Sequence, residues 1–255
     1  MKRPFRFLTH IWVILFALQL SSCSDDSATI EFKIQGAEVA YVFRLEGTLP
    51  LPWDTVAIED ETLHLDLPVD STLSTFYEIQ FDNNSNRLRL GIEPGDEITG
   101  EIDARGMFLT YRLEGSYLSE QLCDQYRATL KSAQVIDSLD TYKSTHPVTT
   151  MEEFEVQERR NLQKLQDRYH AHKVEIASTI AEDPQSLANV FAFLNQSIGR
   201  VRIFSPEEKE DFLQMKEYAA LILQAHPNHP LAKIFAMEME RLSPPSPQST
   251  DHSTH

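Results

Sequence analysis

"FYEIQFDNNSNRLRLGIEPGDEITGEID", residues 76–103, sets three runs of alternating apolar and polar residues against two breaks. Successive side chains of a strand point to opposite faces, so Tyr77, Ile79 and Phe81 share one face and Leu88, Leu90 and Ile92 share another. The breaks are an asparagine-rich segment at 82–86 and the Pro94-Gly95-Asp96 turn. Neither is long enough for a helix, so the stretch predicts strands that follow one another directly.

The same alternation runs outward in both directions. Upstream, "TIEFKIQG" (29–36) places Ile30, Phe32 and Ile34 on one face, and "VAYVFRLEG" (39–47) follows it. Downstream, "MFLTYRLEG" (107–115) closes the series. Short strands at regular spacing, with no helix between them, predict an N-terminal antiparallel β-sandwich or open barrel.

After Gly115 the apolar spacing changes to three and four residues, the period of helices that bury one face. Ser119 stands where it can cap a long helix carrying Leu122, Tyr126, Leu130, Ala133 and Leu139. Thr150 and Glu153 form a capping box ahead of a stripe through Phe154, Leu162, Leu165, Tyr169 and Ile176. Asp183-Pro184 opens a third helix, through Leu187, Phe191 and Leu194, that ends at Gly199. Ser205-Pro206-Glu207-Glu208 marks a fourth start and Pro230 a fifth. The fold class is therefore α+β, with a β domain at 30–117 and an all-helical domain at 118–243. Residues 244–255 hold nothing apolar to bury and read as a disordered tail.

At the other end, Lys2, Arg3 and Arg6 precede a run from Ile11 to Leu20 in which only Gln19 is polar. A membrane-spanning helix needs ~20 apolar residues, so the run is too short to cross a bilayer and reads as a targeting segment. Leu20-Ser21-Ser22-Cys23 resembles the bacterial lipobox, in which the cysteine thiol is acylated and the chain is cut before it. Residues 1–22 are thus a lipoprotein signal peptide, Cys23 the lipidation site and 23–29 an acidic tether. A single chain anchors only marginally, whereas several acyl chains hold a protein on a membrane. Ser24-Asp25-Asp26 resembles the short acidic signal that sends many Bacteroidota lipoproteins to the outer face of the outer membrane. The expected location is the outer membrane by lipid anchor, at the cell surface, with the periplasmic face as the alternative.

Composition narrows the partners. Removal of Lys2, Arg3 and Arg6 with the signal deepens the formal net charge from −16 by three, to −19. Nucleic-acid affinity depends on Lys and Arg neutralising phosphates, so such a surface argues against a nucleic-acid partner. With Cys23 acylated, Cys123 has no intramolecular partner, and the mature chain holds no structural disulfide.

The order of parts resembles the N-terminal portion of Bacteroidota lipoproteins in which a small β domain of unknown function and a helical segment precede a thioredoxin-like domain. Asp54-Thr55-Val56, "IEPGDEI" (92–98), "LEGSYLSEQL" (113–122) and "HPNHPLAKIF" (226–235) carry the resemblance. Those relatives continue into a Trp-Cys-x-x-Cys active site, and no such motif follows the helices here. Thiol–disulfide exchange needs a nucleophilic and a resolving cysteine together, so the oxidoreductase activity does not carry over.

Other chemistries find no motif. Cys123 lies between Glu120 and Asp124, whose charge disfavours a thiolate, and reads as a packing residue. His170 and His172 fall on different faces of a helix, and His226 and His229 flank a proline turn, so neither pair reads as a metal site. Glu152-Glu153 and Glu207-Glu208 read as helix starts, and Asp60-Glu61 as a surface pair. Phosphate-loop and Gly-x-Ser-x-Gly motifs are absent. Trp53, between Pro52 and Asp54, reads as a plug at a sheet edge, or alternatively as a platform for a sugar or peptide. No catalytic residue and no cofactor are assigned. The expected function is a non-enzymatic, membrane-anchored binding or accessory module with a protein or glycan partner. The alternative is an auxiliary subunit of a thiol-redox system that works with a separate thioredoxin-like protein.

Overall fold

The computed structural model describes residues 26–82, 86–106, 111–145, 148, 150–198 and 201–242. Cys23, the expected signal peptide at 1–22 and the expected tail at 244–255 lie outside the described residues. Eight strands form the first half: β1 (Ser27–Gln35), β2 (Val39–Glu46), β3 (Leu49–Ala57), β4 (Thr62–Pro68), β5 (Thr75–Phe81), β6 (Arg87–Ile92), β7 (Glu97–Asp103) and β8 (Arg112–Glu114). They make two four-stranded sheets, in the orders β4-β1-β7-β8 and β3-β2-β5-β6.

Alternation puts one face of each sheet inside. Ile30, Phe32 and Ile34 of β1 share an apolar cluster with Tyr77, Ile79 and Phe81 of β5 and Leu88, Leu90 and Ile92 of β6. Each fully buried side chain of this size stabilises by ~1.5–3 kcal/mol. Tyr77 can sit at the centre because its hydroxyl donates to Pro68 O at 2.6 Å. The structure is thus a sandwich, and its pairings are antiparallel with one exception. β1 and β7 run parallel, Thr29 opposite Glu97, because the Pro94-Gly95-Asp96 turn carries the chain from one sheet into the other. Strand structure also starts earlier than the sequence suggests. Residues 27–29, read as tether, already belong to β1, held by Gly95 N–H on Ser27 O and Val69 N–H on Asp26 O.

Asp60 and Glu61 form the turn of the β3–β4 hairpin. Both have positive φ, 50° and 58°, and Glu59 and Thr62 exchange backbone hydrogen bonds across them. That is the left-handed geometry of a two-residue hairpin. This carboxylate pair is turn chemistry.

The second half holds α1 (Tyr117–Thr145), α2 (Met151–Glu182), α3 (Ala188–Leu194), a two-residue hairpin β9 (Ser197–Ile198) and β10 (Val201–Arg202), α4 (Lys209–Ala225) and α5 (Pro230–Arg241). Thr150 and Glu153 make the capping box, each side chain on the other's N–H at 3.2 Å. Several helix boundaries differ from the sequence reading, and the third helix starts at Ala188 rather than at Asp183-Pro184. The third helix ends at Leu194, and β9 follows it. The fourth starts at Lys209: residues 205–208 form a turn in which Glu208 N–H donates to Ser205 O, and Ser205 N–H donates to the buried Asp211 carboxylate, which also pairs with Lys173 at 2.5 Å.

The helices cover the outer face of the second sheet. Phe76 meets Phe191 at 5.1 Å and His229 at 5.8 Å between ring centroids, and Leu45 and Phe76 belong to the helical apolar cluster. Phe191, on the stripe read from the sequence, is buried, and so is Phe212, but Phe154 and Leu162 are 47% and 55% exposed. The buried residues of α2 are Asn161, His172, Ile176 and Ile180, so its apolar packing lies in the C-terminal half.

The layers meet at β6, the edge of its sheet. Ser116 Oγ and Ser119 Oγ each donate to Gly91 O at 2.9 Å, and Gly91 N–H donates to Ser119 Oγ at 3.2 Å. Ser119 therefore does not cap α1. It lies in the first turn, and Ser116 precedes the helix, with Glu120 N–H on its carbonyl. A Cβ on Gly91 would fall 2.5 Å from Leu118 Cγ and 2.8 Å from Phe76 Cε1, so only glycine allows this approach. Ser119→Ala leaves the Gly91 N–H unsatisfied, and Gly91→Ala overpacks the seam. Each is expected to lower the unfolding free energy by about 1–3 kcal/mol, read from the shift of the urea midpoint.

Candidate functional site

Alternation along β5 and β6 builds the site. With Tyr77, Ile79 and Leu88, Leu90 turned into the sandwich, Glu78 and Gln80 are left on the outer face beside Arg87 and Arg89. Register places Glu78 opposite Arg89 and Gln80 opposite Arg87. The Glu78 carboxylate, only 7% exposed, accepts from Arg87 Nη1 at 3.1 Å and from Arg89 Nη2 at 2.5 Å. Each guanidinium also lies over an aromatic ring, Arg87 4.2 Å from the Phe43 centroid and Arg89 4.2 Å from that of Phe191. Ion pair and ring together fix both planes.

The helices roof this patch and leave a cavity of about 150 Å³ between it and Leu122, Gln125, Tyr126 and Gln196. Gln196 Nε2–H and Thr129 Oγ–H both donate to Gln125 O, at 3.1 and 3.0 Å, while Gln125 Nε2–H donates to Asn189 Oδ1 at 3.3 Å. Gln196 Oε1 is buried with no hydrogen-bond partner. Burial pushes the Tyr126 hydroxyl up to about 12, with Arg89 opposing and Glu78 adding to the shift, so it stays protonated at neutral pH. The arrangement presents two oriented cations, one carboxylate, neutral amides and an aromatic wall.

The residues singled out from sequence lie elsewhere or pack. Cys123 is buried in the sandwich cluster, and burial, with Asp124 adding, pushes its thiol above the ordinary range. Burial therefore leads the acidic flank in disfavouring the thiolate. His170 is exposed and His172 buried. His226 Nε2 lies 3.1 Å from Gln185 O. His229 caps α5: its Nδ1 accepts from Leu231 N–H at 3.1 Å while Nε2 faces Ser74 O at 2.9 Å, the pattern of a neutral ring. Among the described residues no group of three or more His, Cys, Asp and Glu is placed to hold a metal. Trp53 sits at a bulge on the edge strand β3, 47% exposed, edge-on to Tyr77 at 6.4 Å with Arg44 5.6 Å over its ring.

Sequence reasoning passed over Arg87, Arg89 and Glu78. The signal was present in "RLRL" (87–90), where alternation sends both arginines to the face opposite the core. Comparison with protein-family models finds no match, and comparison with curated proteins finds none either.

His172 supplies a pH dependence. Ser132 Oγ lies 2.9 Å from its Nδ1, donates to Ala128 O, and accepts from Arg168 Nη2. The ring then donates from Nδ1 and leaves Nε2 an unpartnered acceptor. Burial first, with Arg168 adding and Glu175 opposing, pushes its pKa down to about 4 from 6.5. Between those values the unfolded chain binds more protons than the folded one. Stability present above about pH 6.5 is lost as pH falls toward 4, by up to about 3 kcal/mol from this residue. His172→Asn keeps a donor toward Ser132 without the titration. Urea unfolding from pH 7.5 to 4.5 is expected to show a shallower loss of stability for that variant than for the wild type.

Proposed function

We propose that this protein is a lipid-anchored, non-enzymatic module of the bacterial cell envelope that binds a partner through its folded part. The observation that carries the reading is the cysteine of Leu20-Ser21-Ser22-Cys23 after a basic and then apolar leader. The position of the fold supports it. Three residues separate Cys23 from Ser27, where β1 begins, so even a fully extended chain holds the sandwich within about 14 Å of the acyl attachment.

The start of β1 and the cavity lie toward opposite ends of β6. Ser27 is bonded to the Pro94-Gly95-Asp96 turn that follows Ile92, whereas Arg89 and Arg87 lie three and five residues back along the strand. At ~3.3 Å per residue they stand roughly 10–17 Å beyond the turn. No helix of the described residues is long and apolar enough to cross a membrane; in this reading the attachment is acylation of Cys23. The buried, up-shifted thiol of Cys123 speaks against thiol chemistry by the chain itself.

Metabolic labelling of cells with an alkynyl fatty acid tests the reading. The wild type is expected to take the label and to fractionate with membranes. Cys23→Ala is expected to lose the label and to accumulate as an unprocessed precursor. An alanine variant that is labelled and processed like the wild type would contradict the reading.

A further inference from the structure

The seam cavity has unused recognition capacity of a definite kind. A guanidinium carries five N–H donors. Arg87 uses two, on Gln80 Oε1 and Glu78 Oε2, and Arg89 uses two, both on Glu78 Oε1. Three remain on each, in planes already fixed by Phe43 and Phe191. Glu78 neutralises one of the two charges, so the patch retains a single positive charge inside a chain of net charge −16. One charge on a planar, forked set of donors suits a carboxylate, and the acidic surface around it disfavours polyanions. Gln196 lines the same cavity, and its Oε1 is buried and lacks a donor. Such an atom carries a desolvation penalty that a ligand N–H or O–H would relieve.

We propose that the seam cavity binds a small carboxylate bearing an N–H or O–H beside its acid group, the carboxylate on Arg87 and Arg89 and the donor on Gln196 Oε1. The size agrees. A cavity of 150 Å³ accommodates a group the size of benzene, so the buried part of the ligand has about six to ten heavy atoms. Two sources share this chemistry: an acyl amino acid, as at a peptide chain end, and an acidic sugar. The site stands whether or not Cys23 is acylated.

Four probes separate the contributions in the chain from Ser24 onward, which holds every described residue. N-acetylglycine offers carboxylate and N–H, glucuronate offers carboxylate and O–H, acetate offers the carboxylate alone, and N-acetylglycinamide offers the donor alone. Binding is followed by NMR at the Gln196 side-chain amide and the arginine Nε–H groups. At least one donor-bearing acid is expected to bind at least about tenfold tighter than acetate, with no saturation by the neutral amide. N-acetylglycine binding points to the amino-acid source, and glucuronate binding to the sugar. Arg89→Lys keeps a cation for Glu78 but loses the fork, and is expected to weaken binding at least about tenfold. Gln196→Met touches no ion pair and is expected to erase the preference over acetate. Acetate binding as tightly as both acids would overturn the proposal. So would wild-type affinity in both variants, or no response to either acid in a folded wild-type protein.

Discussion

Three hydrogen bonds on one glycine join the two halves of this protein. β6 is an edge strand, and an open edge offers unpaired N–H and C=O groups to any passing strand. Here the edge is closed by hydroxyls at the start of α1, with Ser116 and Ser119 on the two backbone groups of Gly91. Glycine is required because Leu118 and Phe76 occupy the space a Cβ would need. Each bond contributes ~0.5–1.5 kcal/mol, but leaving those groups unpaired in a buried seam would cost more than the bonds contribute. The direction of α1 across the sheet follows from this contact. The positions of Leu122, Cys123 and Tyr126 follow from α1.

That placement makes one strand serve two purposes. Leu88, Leu90 and Ile92 fill the sandwich, while Arg87 and Arg89 face the helices, where an apolar layer would otherwise be expected. Two cations at such an interface are tolerable because Glu78 pairs with both and the rings of Phe43 and Phe191 cover them. At another point of the layer the contact is neutral, where His229 bridges Leu231 N–H and Ser74 O. The cavity therefore sits where two cations and their shared carboxylate enter the seam.

Local signals were legible in the sequence and long-range ones were not. Alternation in 76–103 located β5, β6 and β7, and Thr150 with Glu153 located the start of α2, because each depends on neighbours within a few residues. Ser119 shows the limit. Its position matches a helix cap, yet its hydroxyl goes to Gly91, 28 residues back, and nothing local marks that partner. Ser205 similarly looked like a cap, but its Oγ accepts from Glu207 N–H in a turn ahead of the helix, while its own N–H goes to Asp211, paired with Lys173 of another helix. The parallel pairing of β1 with β7 is equally non-local. Of the site, the shared face of Arg87 and Arg89 was readable from period two. Glu78 opposite Arg89 required the register, and Gln125 with Gln196 required a contact across 71 residues. Cys23 is the reverse case, legible in the sequence and outside the described residues.

If the Gly91 seam couples the layers, sandwich and helices form one cooperative unit. Native-state hydrogen exchange at Gly91, Ile79 and Ile222 reads this directly, because it reports the opening free energy of each region separately. These amides belong to the seam, the sandwich core and the helical core. One common opening free energy, equal to that of global unfolding, is the predicted result. Exchange of Gly91 and Ile222 through a lower-energy opening, while Ile79 stays protected, would show that the helices detach on their own and would contradict the coupling.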